Sequence, residues 1–133
     1  NANKYPLDET ISYGCLHTLK INPAYPLWKT CALTDQVKVY SIHHQAAGKL
    51  PKTLTPMAWS SDKKVIEAVA HAKYKNVLGI QFHPEQSALY NPQIKQFLNQ
   101  GDKQTLARVI ASDAVTTYFL QSFWNEMVNR LRN

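Results

Sequence analysis

A short apolar run near the middle of the chain constrains the fold more than any other feature. The strand predicted at residues 76–82 contains Val77-Leu78-Gly79-Ile80-Gln81-Phe82, and so short an apolar run is typical of a strand covered on both faces. Such a strand needs a further layer on each side, usually of helices. The region before it shows almost no helical pattern, so the covering helices must come from residues outside this chain or from a partner. The chain is therefore expected to be part of a larger domain.

Four other strands are predicted before this run. They are placed at residues 16–22, 37–42, 54–60 and 65–71, on the basis of alternating or β-branched and aromatic residues. The turn composition of Ser61-Asp62-Lys63-Lys64 predicts that the third and fourth strands form a hairpin. A short helical turn is predicted at 27–34.

Helices are predicted after the apolar run. Asn91 is a favourable N-cap and Pro92 suits the first helical position, so a helix is expected over 92–98. From residue 102 onward, apolar residues recur at helical spacings, which indicates one long or kinked amphipathic helix. The tryptophans are expected to anchor the core or an interface: Trp28, Trp59 and Trp124.

Composition places the chain among ordinary globular proteins. Of its 133 residues, 44% are hydrophobic and 18% are charged, which suffices to bury a core. The net charge is +6, but the lysines are scattered and no nucleic-acid-binding signature accompanies them, so no nucleic-acid partner is expected. No apolar run is long enough for a membrane span, and Asn1 to Thr10 lacks the apolar core of a signal peptide. Because the two cysteines form no disulfide framework, a cytoplasmic location is expected.

His83-Pro84-Glu85 directly follows the apolar run and is the strongest chemical signal. The end of a strand is where open α/β sheets place their functional sites. A carboxylate two residues from a histidine can orient the imidazole and stabilise its protonated form, so that the pair serves as a general base toward a nucleophile. Pro84 reduces the entropy lost in holding the pair. The alternative is that His83 caps a strand and Glu85 is a solvated surface charge.

Metal binding is a third interpretation of the histidines. The candidate ligands are His17, His43, His44, His71 and His83. No pair of them has HxxxH spacing and the cysteines have no CxxC spacing, so no metal site is expected.

The whole string from Val77 to Glu85 resembles the G-V-Q-[FW]-H-P-E signature of class I glutamine amidotransferases and their γ-glutamyl hydrolase relatives. Tyr40-Ser41-Ile42-His43-His44-Gln45 is similar to the N-S-x-H-[HG]-Q segment of the subgroup that includes γ-glutamyl-γ-aminobutyrate hydrolase. Shorter matches to that subgroup occur at His17-Thr18-Leu19-Lys20-Ile21, Ala58-Trp59-Ser60-Ser61-Asp62 and Ile66-Glu67-Ala68. The resemblance covers residues 14–90 in the family's order.

This resemblance implies a fold and a set of site residues. The fold would be α/β, with residues 1–133 forming the C-terminal half of a flavodoxin-like domain that has a mostly parallel sheet and a β-hairpin excursion. His83 and Glu85 would complete a Cys-His-Glu triad. His43, His44 and Gln45 would line the substrate site, the alternative being a polar strand end that bonds its own loop.

The nucleophile of that triad is missing from the sequence. The family's G-x-C-x-G elbow is a strained strand-to-helix turn that needs small neighbours. Cys15 is followed by bulky residues and a predicted strand, and Cys31 has no glycine nearby, so both are expected to be buried small hydrophobes. Lys63 replaces the family's glycine in the hairpin turn. The nucleophile is expected to lie in a missing N-terminal half.

The function implied by the resemblance is hydrolysis of a γ-glutamyl amide through a thioester, without a cofactor. The expected partners are the missing half and a γ-glutamyl small molecule, and an exposed apolar sheet face predicts self-association into a homo-oligomer when that half is absent. Two alternatives stay open. One is an amidotransferase subunit that delivers ammonia to a synthase, and the other is a non-catalytic assembly module.

Overall fold

The computed structural model describes residues 8–132, which contain five strands and three α-helices. Most of the polar segment Asn1 to Thr10, for which no signal peptide is expected, lies outside the described residues. The strands are β1 (Cys15–Ile21), β2 (Gln36–Ser41), β3 (Leu54–Ser60), β4 (Ile66–His71) and β5 (Leu78–Ile80). The helices are α1 (Pro26–Cys31), α2 (Leu106–Ala111) and α3 (Ala114–Arg132), and a 3-10 turn covers Ser87–Leu89. Within residues 8–132, no helix is both long and apolar enough to cross a membrane.

The strands form one sheet in the order β2-β1-β3-β4-β5, and every neighbouring pair is antiparallel. The prediction of a mostly parallel sheet is therefore wrong for the described residues. A parallel pair needs a crossover of a dozen or more residues, and the links from β3 to β4 and from β4 to β5 are too short for one. The α/β class and the predicted β3–β4 hairpin are confirmed.

The apolar run that predicted a fully covered strand is only partly regular. Only Leu78–Ile80 pairs as β5, at the edge of the sheet beside β4. These three residues are half-buried and the preceding Val77 is 50% exposed, whereas Phe82 leaves the strand and enters the core. Full coverage on both faces is therefore wrong for this structure, because the residues of β5 are only half-buried. The outer edge of β5 also has no neighbouring strand within residues 8–132.

The helical predictions are partly wrong. No helix forms over 92–98; the Asn91 side chain instead accepts a hydrogen bond from the Gln93 amide at 2.9 Å, which makes a local turn. The predicted C-terminal helix is divided into α2 and α3. The division falls at Asp113, whose carboxylate accepts a hydrogen bond from the Thr116 amide at 3.1 Å and so caps α3.

Aromatic side chains join the helices to the sheet. The rings of Phe82, Phe119 and Phe123 have centroids 5.9–6.1 Å apart, and Trp28 of α1 lies 6.2 Å from Phe119. The Trp28 indole also donates a hydrogen bond to the Met57 carbonyl of β3 at 2.9 Å. The core prediction for Trp28 is confirmed, while Trp59 is half-buried and Trp124 is 39% exposed.

The cap of α3 gives a stability prediction. Asp113→Ala is expected to lower the free energy of unfolding by about 1–2 kcal/mol, because it removes the side-chain acceptor of the first turn. Asp113→Asn is the matched control: it keeps the capping oxygen and loses only the ion pair with Lys38, 3.0 Å away in the wild type, which is worth about 0–1 kcal/mol. Urea denaturation at neutral pH measures both.

The same residue predicts a pH dependence. Hydrogen bonds from the Thr116 amide and from Lys38 hold the pKa of Asp113 below its ordinary value of 3.8. A lowered folded-state pKa adds stability above pH 3.8 that is lost as the pH falls through the lowered value. The stability difference between wild type and Asp113→Asn should therefore shrink below pH 3.8. A constant difference down to acid pH would contradict this account.

Candidate active site

Backbone hydrogen bonds to two strands that are not neighbours in the sheet hold the segment around His83. Gln81 donates its amide hydrogen to the Glu67 carbonyl of β4 at 2.9 Å, and two residues later His83 donates its amide hydrogen to the Tyr40 carbonyl of β2 at 2.8 Å. Since β2 and β4 are not neighbours in the sheet, these bonds show that the sheet is curled. His83 lies where the curl brings β2 and the end of β5 together.

The side chains of His83 and Glu85 form a close pair. Nδ1 of His83 lies 2.7 Å from Oε1 of Glu85, with Pro84 fixing the turn between them. The turn is attached to α3, because the Tyr90 hydroxyl donates a hydrogen bond to the Pro84 carbonyl and accepts one from the Trp124 indole, the latter at 2.9 Å. The proximity expected from the sequence is therefore present, and the turn has support beyond its own residues.

The side chains of this pair are accessible to solvent, and the donor and acceptor of their hydrogen bond can be assigned. The side chains of His83 and Glu85 are 39% and 60% exposed. Partial burial raises the pKa of Glu85, but hydrogen bonds from His83 and from the backbone outweigh it, so that the pKa lies below its ordinary value of 4.5. An ionised carboxylate can only accept, so Nδ1 of His83 carries a proton. Nε2 of a neutral ring then keeps its lone pair, and no hydrogen bond from residues 8–132 is made to it.

The predicted substrate residues lie in the loop after β2, but they differ in environment. His44 and Gln45 are exposed. His43 is half-buried, and its Nδ1 lies 3.1 Å from the Gln45 carbonyl. This contact within the loop is of the kind expected if the polar residues after β2 bond their own loop and do not bind substrate. The loop begins two residues after Tyr40, whose carbonyl holds the His83 amide, so the segment starts close to His83.

Three potential metal ligands that are far apart in sequence lie close together in the structure. His17 of β1, His43 and Glu67 of β4 place their ligand atoms within 4.8 Å of one another. No metal site was expected from the sequence, because none of the histidines or cysteines has a short-range metal-binding spacing. These three residues come from separate segments, which the antiparallel pairing brings together. Glu67 gave a usable signal, because a carboxylate inside an otherwise apolar strand is rarely buried without a partner.

The cysteines differ from expectation in one respect. Cys31 is fully buried as predicted, and burial together with the charge of Glu126 raises its pKa to about 11. Its thiolate is therefore scarce at neutral pH. Cys15 is exposed at the start of β1, so its predicted burial is wrong. It occupies a strand and not a strand-to-helix turn.

Two comparisons with known proteins bear on the family of this chain. The family model of peptidase C26 matches residues 3–85, which include all five strands and end on Glu85. The chain belongs to the peptidase C26 family. It is also 39% identical over 69 residues to a glutamine amidotransferase-like protein of Rickettsia prowazekii (strain Madrid E).

The likeness to the rickettsial protein covers only part of each chain. The aligned segment is 52% of this chain and 24% of the rickettsial protein. The chain thus spans about a quarter of the length of the curated relative that it matches.

Proposed function

We propose that this chain is the C-terminal portion of a cysteine-dependent γ-glutamyl amide hydrolase. His83 and Glu85 are two members of a Cys-His-Glu triad, and the cysteine is provided by residues outside Asn1 to Asn133. The observation that carries the proposal is the 2.7 Å contact between Nδ1 of His83 and Glu85, on an accessible side chain whose Nε2 receives no hydrogen bond from residues 8–132. That is the arrangement of a general base oriented by a carboxylate.

The proposal assigns a role to each member of the triad. Nε2 of His83 takes the proton from the cysteine thiol, and the thiolate attacks the γ-carbonyl carbon of the substrate. Glu85 stabilises the imidazolium that results. His83 then returns the proton to the departing amine, leaving a γ-glutamyl thioester. In the second half, His83 removes a proton from water, which attacks the thioester, and the thiol is restored as glutamate leaves.

The loop after β2 is the proposed substrate site. His44 and Gln45 are exposed and follow the strand whose Tyr40 carbonyl bonds the His83 amide. Their polar side chains and main-chain groups suit the α-amino and α-carboxyl groups of a glutamyl unit. His43, which turns toward Glu67, would act on that site through its backbone.

Two features support a missing half. The outer edge of β5 has no strand beside it within residues 8–132, and Val77 before it is 50% exposed. A further strand would pair there, and a second copy of the chain is the competing occupant. A cavity of about 460 Å³ is lined by α1, β4 and α3 and includes neither His83 nor His43. No wall of this cavity comes from the loop after β2 or from the His83–Glu85 turn.

The test compares two proteins. The 133-residue chain and the longest natural polypeptide that contains it are assayed for release of p-nitroaniline from a γ-glutamyl anilide. The longer protein is expected to carry a cysteine elbow before Asn1 and to turn over, while the shorter one is inactive because no acyl-enzyme can form without a nucleophile. Activity of the 133-residue chain that disappears in Cys15→Ala would overturn the assignment. A natural polypeptide without an upstream cysteine would favour a non-catalytic module.

Ammonia transfer to a synthase is the second candidate, because the rickettsial relative is described as glutamine amidotransferase-like. A strict preference for glutamine and a requirement for a partner enzyme would favour it. Turnover of several γ-glutamyl amides without a partner favours the hydrolase.

A further inference from the structure

The cluster of His17, His43 and Glu67 places a carboxylate between two imidazoles. Oε1 of Glu67 lies 3.4 Å from Nε2 of His43 and 3.8 Å from Nε2 of His17. Glu67 is 2% exposed, whereas each histidine side chain is 24% exposed. The cluster therefore has a buried acidic end and a side that solvent can reach.

Glu67 is poorly satisfied for a buried carboxylate. Its Oε2 has no hydrogen-bond partner among the residues that the structure describes. A buried ionised carboxylate is costly unless it is paired with a cation or bound to a metal. A proton or a cation beside Glu67 would meet this requirement.

The tautomer of His43 sharpens this requirement. Its Nδ1 lies 3.1 Å from the Gln45 carbonyl, which can only accept, so Nδ1 carries the ring proton. A neutral His43 therefore directs the lone pair of Nε2 at the carboxylate oxygen 3.4 Å away. Two lone pairs repel at this distance unless a proton or a metal ion lies between them. When a histidine binds a metal through one ring nitrogen, a carbonyl that accepts a hydrogen bond from the other ring nitrogen usually fixes the tautomer, as the Gln45 carbonyl does here.

We infer that His17, His43 and Glu67 bind a divalent transition-metal ion of the zinc class. Two imidazoles and one carboxylate are a ligand set of zinc sites that keep an open position. Ligand atoms on tetrahedral zinc lie about 3.3–3.6 Å apart, given metal–ligand bonds of about 2.0–2.2 Å. The His43–Glu67 separation of 3.4 Å is within that range, and the His17–Glu67 separation is 3.8 Å. All three ligand atoms lie within 4.8 Å of one another, so binding of the ion would draw the two histidines closer together.

Neighbouring groups can adapt to the ion. The Ser41 hydroxyl lies 2.9 Å from Nε2 of His17, and it gives up this contact when the nitrogen binds metal, becoming a hydrogen-bond partner for a metal-bound water. The ion would tie β1, β4 and the loop after β2 together. This inference does not depend on the proposed hydrolase function, since none of the three ligands is His83 or Glu85.

The test is a metal titration of the 133-residue chain after chelation. Calorimetry with Zn²⁺ is expected to show one equivalent bound, and Co²⁺ is expected to give the intense visible bands of a tetrahedral site. His43→Ala and His17→Ala should weaken Zn²⁺ binding by more than about 100-fold, since loss of an outer-sphere group alone costs about 10–100-fold. Glu67→Gln, which preserves side-chain volume, should also weaken it by at least about tenfold.

Two controls separate the outcomes. His71→Ala should leave Zn²⁺ affinity unchanged, because His71 accepts hydrogen bonds from the Lys73 and Tyr74 amides instead. His83→Gln should also leave it unchanged, which distinguishes this site from the catalytic pair. If a chelated chain unfolds and Zn²⁺ restores its circular dichroism, the inference is supported.

Absence of Zn²⁺ binding would overturn it, as would binding that the cluster variants do not weaken. An NMR titration in which His43 is protonated beside Glu67 and does not respond to Zn²⁺ would also overturn the inference, because a proton would then lie between Nε2 of His43 and the Glu67 carboxylate. The same titration on the natural polypeptide covers the case in which the shorter chain does not fold.

Discussion

His83→Gln is expected to lower kcat for γ-glutamyl anilide hydrolysis by about 10³–10⁴-fold in the proposed hydrolase, in which a cysteine from outside Asn1 to Asn133 completes the triad. The substitution removes the only group in the pair that can accept the thiol proton, while the amide side chain has a similar reach. Substrate affinity should change little, since the loss is in proton transfer. Steady-state kinetics with single-turnover measurement of acylation checks both.

Glu85→Gln is the companion change. A glutamine at this position can still contact Nδ1 of His83, but it is neutral, so that it stabilises the imidazolium poorly and tolerates the wrong tautomer. We expect a loss in kcat of about 10²–10⁴-fold. His71→Gln is the matched control and should retain activity, because His71 lies at the opposite end of β4 from Glu67 and accepts hydrogen bonds from the Lys73 and Tyr74 amides. A loss below tenfold in His83→Gln would remove the assignment of His83 as the general base.

Phe119→Ala is expected to have the largest effect on stability, lowering the free energy of unfolding by about 3–5 kcal/mol. Phe119 is fully buried and its ring packs within 6.2 Å, between centroids, of Trp28, Phe82 and Phe123. Truncation would leave a cavity where α1, α3 and the segment after β5 meet. Urea denaturation followed by tryptophan fluorescence measures the change, since Trp28 lies in the same cluster.

Leu131→Ala is the control for that experiment. Leu131 is in the same helix but is 88% exposed, so its removal should change stability by no more than about 0.5 kcal/mol. Phe119→Leu should fall between the two because it fills most of the space. Equal effects of Phe119→Ala and Leu131→Ala would mean that the aromatic cluster is not the core of the described region.

Local features were predictable from the sequence to the extent that they depend on adjacent residues. The strand bounds at β1 to β4 agree to about one residue, because alternation and turn composition act over short distances. The His83–Glu85 contact was also predictable, since a proline between two side chains leaves them little freedom to separate. Whether the strands pair in parallel or antiparallel was not predictable, because the partner of a strand is set by chain segments far away in sequence.

The errors have physical causes of the same kind. Asn91 and Pro92 provide a good helix start, but the Asn91 side chain closes a turn on Gln93 instead. The backbone of Phe97 then bonds to Thr10 and Ser12, which are far away in sequence, and not along a helix. The division between α2 and α3 depends on Asp113 finding both Thr116 and Lys38, and Lys38 is in a distant strand. The grouping of His17, His43 and Glu67 needs the antiparallel register, which the apolar pattern does not encode.

The curl of the sheet has a consequence for how activity and folding are linked. The amide of His83 is bound to β2 and that of Gln81 to β4, so the imidazole owes its position to two strands that do not touch each other in the sheet. A substitution on either strand that flattens the curl would move the general base without altering any catalytic side chain. Temperature-induced loss of activity should then come with fraying of β2 or β5, ahead of the melting of the aromatic cluster.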